Sequence, residues 1–152
     1  MGPLTLDGLP QNALLLIDSA PLIYVLEDHP QHAAIFQPVF EAHGKGLVRF
    51  AVTTVTLAEV LTGPLAHEDE ELAATFRATL KSWIVVDLDA EIAESAARLR
   101  ATLGLKLADA VQVASALAVR ADALVTHDRD FSAITGLKIL GVEGKSVQRR
   151  GR

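Results

Sequence analysis

The chain has 152 residues, with 14 Lys and Arg against 19 Asp and Glu for a net charge of −5, and is 50% hydrophobic, 5% aromatic and 22% charged. That length fits one domain, residues 1–152, and is short for two separate cores, while the apolar fraction supports an aliphatic interior and excludes a disordered chain. The absence of cysteine excludes disulfides, thiolate metal sites and cysteine nucleophiles, and sets the cytoplasm as the expected location.

The start of the chain lacks a basic n-region, and its first apolar run, Ala13 to Ile17, is far shorter than a membrane span, so neither export nor membrane insertion is expected. The acidic balance argues against a broad basic surface for phosphate backbones. A metal ion held by converging carboxylates would supply positive charge that this sum omits. The basic residues Lys145, Arg149, Arg150 and Arg152 read as a solvated tail that could also touch RNA.

In chain order, Ala13–Ile17 (ALLLI) is a continuous apolar run, the pattern of a parallel strand buried on both faces, and it ends at Asp18. Pro21 fits a first helical turn, continued by Leu22, Ile23, Val25 and Leu26. A helix around Gln31–His43 and a β-branched strand at Val48–Thr53 follow. A short helix, Thr56–Leu61, is expected to stop before the breaker Gly63-Pro64. Glu68–Glu71 places acids in the first turn of the next helix, and Trp83–Val86 reads as a third strand. From Asp89, the residues Ile92, Ala96, Leu99 and Leu103 recur at helical spacing up to Gly104. A further helix from Leu107 sets Ala110, Val111, Ala114, Leu117 and Ala118 on one face, and Ala123–Thr126 and Leu137–Leu140 read as the fourth and fifth strands. Strands alternating with helices predict a three-layer α/β/α sandwich around a parallel sheet of four to five strands, with any site beyond the strands' carboxyl ends.

Four carboxylates fall at that edge. Asp18 follows the first strand, Glu59 lies in the helix after the second, Asp109 opens a long helix and Asp128 follows the fourth strand. Singly, each has a structural explanation as a strand end, a helix cap, a surface ion pair or a first-turn acid. Jointly, four acids in the apolar contexts LLLIDSAPLI, VTLAEVL, LKLADAVQVA and ALVTHDRDF would repel one another unless a cation joined them. Oxygen-only ligands suit Mg²⁺ or Mn²⁺, which can activate a water against a phosphodiester. Ser19 and Thr126 add hydroxyls beside the acids, as donors to them or as phosphate contacts.

The segments IDSAPLIYVLE, TLAEVL, LKLADAVQVASAL and LVTHDRDF resemble, in order and context, the PIN-domain ribonucleases, in particular the VapC-like toxins. The resemblance spans about residues 13–140 and rests on four motifs in sequence. It implies that Asp18, Glu59, Asp109 and Asp128 form a metal-binding acidic quartet, with Asp130 as an accessory. It also implies Mg²⁺ or Mn²⁺ dependence, endonucleolytic cleavage of RNA, a homodimer and a cognate antitoxin partner. The sequence departs from the family pattern at Ala20 and His127, and neither departure removes an acid.

Competing assignments are weaker. A phosphatase of the haloacid dehalogenase type needs an Asp-x-Asp pair where this chain has Asp18-Ser19-Ala20. A response-regulator receiver needs an acidic pair by its first strand, where only Asp18 stands. A PIN-like module that binds RNA or protein without catalysis is the remaining alternative. His29 and His32 flank Pro30 in an expected solvated turn, Gly44-Lys45-Gly46 lacks the spacing of a phosphate loop, and Phe76 and Trp83 read as core or dimer-face residues.

Overall fold

A computed structural model describes residues 3–128, 131 and 134–141. All five residues of the first strand, β1 (Ala13–Ile17), are buried, as its unbroken apolar run requires. β1 lies in the middle of a five-stranded sheet of order β3-β2-β1-β4-β5, in which β2 is Val48–Thr53, β3 Ile84–Val86, β4 Ala123–Val125 and β5 Lys138–Leu140. Every pairing is parallel, with Leu15 opposite both Phe50 and Ala123. This matches the expected parallel sandwich, with the fifth strand present.

Alternate residues of β1 serve two cores. Ala13, Leu15 and Ile17 join Phe36, Val39, Phe50, Phe76 and Leu80 on one face. The helices there are α1 (Ser19–Leu26), α2 (Ala33–Gly44), α3 (Thr54–Ala66) and α4 (Glu70–Lys81). Leu14 and Leu16 join Ile92, Ala96, Val111, Val113 and Leu124 on the other, beneath α5 (Ala90–Leu103) and α6 (Leu107–Ala118). Each buried Leu or Ile contributes about 1.5–3 kcal/mol. A register slip of one residue would therefore exchange both cores at once. At the amino edge of β1, Asp122 locks that register: its carboxylate accepts from Leu14 N at 2.8 Å and its own N–H donates to Leu14 O at 2.7 Å.

The best-predicted helix is α5, where Asp89 caps Ile92 N at 2.8 Å and Gly104 closes the far end with φ +72°. Three expectations require correction. The helix expected at Thr56–Leu61 runs as α3 from Thr54 to Ala66, through Gly63-Pro64. Pro64 removes one helical N–H, but it stands in the last turn with only two helical residues after it, and its ring is buried. Glu68 does not open the next helix. It takes a left-handed conformation (φ 56°) in the closing turn of α3, where Asp69 N donates to Pro64 O at 2.9 Å, and Asp69 then caps α4 through Leu72 N at 3.0 Å. On α6, Ala110 to Ala116 are buried on all sides, whereas Leu117 and Ala118 are exposed, because the helix is sunk between α5 and the sheet only in its middle and emerges at both ends, where Leu107 is also exposed.

Phe76 is buried and Trp83 half-buried, the latter edge-on to Phe50 at 5.0 Å just before β3 begins. His43 stacks on the same Phe50 with centroids 4.1 Å apart and planes inclined by 16°. Burial lowers the His43 pKa below the ordinary imidazole value of 6.5. The unfolded chain therefore binds a proton more readily at this position than the folded one does. The resulting stability is fully present above pH 6.5 and is lost as pH falls through the folded-state value. Urea titrations between pH 7.5 and 5 should show this decline, and His43→Phe should reduce it; an unchanged slope in the variant would assign the decline to other groups.

Candidate functional site

The chain runs outward from β1 in both directions: β2 and β3 on one side, β4 and β5 on the other. Such a reversal leaves a crevice beyond the carboxyl ends of β1 and β4, where the outgoing connections diverge. Asp18 stands at the end of β1, its N–H donating to Val125 O of β4 at 2.9 Å. Its carboxylate caps α1 through Ser19 N, at 3.0 Å from Oδ1. The capping role foreseen as an alternative to function is therefore real and coexists with placement in the crevice.

Two further donors reach the same carboxylate. Gln112 Nε2 donates to Asp18 Oδ1 at 2.8 Å and Thr126 Oγ1 donates to Asp18 Oδ2 at 2.8 Å. The Thr126 hydroxyl in turn accepts from Asp128 N at 3.0 Å, which ties the turn after β4 to Asp18. Ser19 Oγ donates to Glu59 Oε1 at 2.5 Å, joining the exposed Glu59 on α3 to the start of α1. Asp109 lies in the first turn of α6, half-buried, one helical turn before Gln112. Asp18, Ser19, Glu59, Thr126 and Asp128 thus share one hydrogen-bonded system, and Asp109 stands on α6 one helical turn from the Gln112 that donates into it. Asp130 and the basic residues 145–152 lie outside the described residues.

Among the described residues, no three His, Cys, Asp or Glu side chains stand close enough together to hold a metal ion as they are. The chemistry of the site nevertheless fits a hard cation. Among the described residues, the hydrogen-bond partners of the Asp18 and Glu59 carboxylates are all neutral. No Lys or Arg of that set compensates either acid, and the donors available to an ion are oxygens.

Sequence reasoning missed Gln112, a 1% exposed amide flanked by Val111 and Val113 in a mostly apolar helix. A Gln between Val111 and Val113, inside the buried stretch Ala110–Ala116, was the available signal, since a buried amide needs partners. It also misjudged the histidines. His29 and His32 are half-buried rather than solvated. They stack on each other at 4.8 Å, and both pack against Tyr24. Tyr24 shares a 2.9 Å hydrogen bond with His127 Nδ1, between Thr126 and Asp128, and burial raises its pKa. The aromatic contact between α1 and the β4 turn draws both imidazoles out of water.

The sequence model of the PIN domain matches residues 15–137. The chain belongs to the PIN-domain family. Within it the resemblance is VapC-like: Ribonuclease VapC5 of Mycobacterium tuberculosis (strain ATCC 25618 / H37Rv) is 36% identical over 97 residues, which span 58% of this chain and 70% of that relative. Among solved structures, a toxin-antitoxin complex from Klebsiella pneumoniae is 26% identical with a TM-score of 0.65, covering 81% of this chain and 94% of that one. VapBC-1 from nontypeable Haemophilus influenzae shares the fold at 20% identity and a TM-score of 0.66, covering 84% of this chain and 97% of that one.

In this PIN domain Gly141, just after β5, abuts the site from behind. A Cβ there would lie 2.0 Å from Thr126 O, a separation that only a backbone shift could relieve. Gly141→Ala should cost about 1–3 kcal/mol in urea unfolding. Thr126 should also move relative to Asp18 in a crystal structure of the variant. A variant as stable as the parent, with Thr126 in place, would show that the close approach is not obligatory.

Proposed function

We propose that this chain is a Mg²⁺- or Mn²⁺-dependent endoribonuclease, the toxin of a toxin–antitoxin pair. In this reading it acts as a single domain in the cytoplasm, as a homodimer, and is held in check by a cognate antitoxin. The observation that carries the reading is the placement of Asp18 at the β1/β4 crevice of a PIN fold, with Glu59 and Asp128 hydrogen-bonded into the same system through Ser19 and Thr126. The relationship to a VapC ribonuclease supports the RNA substrate, and the structural likeness to a toxin-antitoxin complex supports the antitoxin partner. Among the described residues no single helix is long and apolar enough to cross a membrane.

Asp18, Glu59, Asp109 and Asp128 would hold the ion, with Asp130 as an accessory. When bound, such an ion supplies positive charge opposite the phosphoryl oxygens and activates water for in-line attack. The protein's own groups prepare that site. Thr126 and Gln112 fix the Asp18 carboxylate, and Ser19 holds Glu59 against α1. The local charge then reconciles an RNA substrate with a chain of net charge −5.

A module that binds RNA or protein without cutting it is the second reading, favoured because no three acids among the described residues are grouped to hold a metal ion as they stand. One assay separates the two. Purified protein is incubated with tRNA and structured RNAs, with and without Mn²⁺, beside Asp18→Asn. The nuclease reading predicts cleavage only with metal, and a loss in the variant exceeding the roughly 10–100-fold typical of changes behind the ligands. RNA that stays intact at all Mn²⁺ concentrations would favour the binding module.

A further inference from the structure

The buried polar groups behind Asp18 are arranged with a direction. Thr53, the last residue of β2 and the cap of α3, is fully buried, and its Oγ1 accepts from Thr56 N at 3.1 Å. Its hydroxyl hydrogen goes to Gln112 Oε1, at 2.7 Å rather than to the Thr56 hydroxyl at 3.4 Å. With its oxygen so engaged, the Gln112 amide must present its NH₂ group the other way, donating to Asp18 Oδ1 at 2.8 Å and to Thr56 Oγ1 at 2.9 Å. A flipped amide would set carbonyl oxygen against carboxylate oxygen and leave the Thr53 hydroxyl without its acceptor.

The spacing connects this relay to the other acids. Thr56 lies one turn before Glu59 on α3, and Gln112 one turn after Asp109 on α6. The amide therefore clamps together the three elements that carry Asp18, Glu59 and Asp109. Its effect on Asp18 is specific. Oδ1 already receives Ser19 N and Gln112 Nε2, which occupy both of its lone pairs, while Oδ2 receives the Thr126 hydroxyl alone.

We propose that Gln112, oriented by Thr53, is a positioning residue that fills Asp18 Oδ1 and so presents Oδ2 as the single Asp18 oxygen open to a divalent cation. The inference rests on the metal-dependent reading above. It assigns Gln112 and Thr53 to the geometry of the centre rather than to the reaction.

The test is Mn²⁺ titration calorimetry on the purified chain, with melting followed in parallel. Gln112→Met keeps an unbranched side chain of similar size and removes every amide hydrogen bond. It should raise the Mn²⁺ Kd roughly 10–100-fold. Thr53→Val, which touches no acid, should raise the Kd as well by releasing the amide, and Thr53→Ser, which keeps the hydroxyl, should restore the wild-type Kd. The Thr53 pair decides the matter if Gln112→Met does not fold. Variants that melt earlier yet bind Mn²⁺ like the wild type would overturn the positioning role while leaving the metal centre standing. A wild-type chain that takes up no Mn²⁺ would overturn the parent reading and this inference together.

Discussion

The carboxylate of Asp18 is the point on which three layers of the molecule converge. It takes a backbone N–H from α1, an amide from α6 and a hydroxyl from the turn after β4, while its own N–H completes the β1–β4 ladder. A half-buried carboxylate at the end of a fully buried strand loses part of its hydration, and protein donors replace it. Meeting that requirement fixes the starting direction of α1, the depth of α6 and the path of the chain leaving β4. The same donors that make Asp18 tolerable at this position also make it rigid, which is what a preorganised site needs.

The sheet order explains why this happens at β1. A central strand with neighbours on both sides, followed by connections that leave in opposite directions, opens a crevice only at its carboxyl end. The opposite end is closed by structural means, where Asp122 pairs both backbone groups of Leu14. Two aspartates, one just after β1 and one just before β4, therefore serve opposite purposes. Asp122 fastens the register at one edge, and Asp18 presents oxygen at the other.

Much of this was legible in the sequence because it depends on local chemistry. The ALLLI run, the β-branched Val48–Thr53 segment and the Asp89-to-Gly104 helix each announce themselves by burial pattern or caps. The candidate acids were legible for the same reason, since each interrupts an apolar stretch. What escaped depends on neighbours distant in the chain. Whether Pro64 ends a helix turns on how much helix remains after it and on what buries the ring. The environment of His29 and His32 is set by Tyr24 and by His127, which is some hundred positions away in sequence. Gln112 hid among apolar neighbours because its partners, Thr53, Thr56 and Asp18, come from two other elements. A buried amide is a weak signal until those partners are in place.

The crevice built on Asp18 is the proposed seat of a divalent cation. Crystals of the wild-type protein soaked in Mn²⁺ and measured at a wavelength where manganese scatters anomalously test it directly. The account predicts an anomalous peak bonded to Asp18 Oδ2, with Asp109 and Asp128 drawn toward it. A map with no peak at Asp18, or with manganese only at surface carboxylates elsewhere, would contradict it.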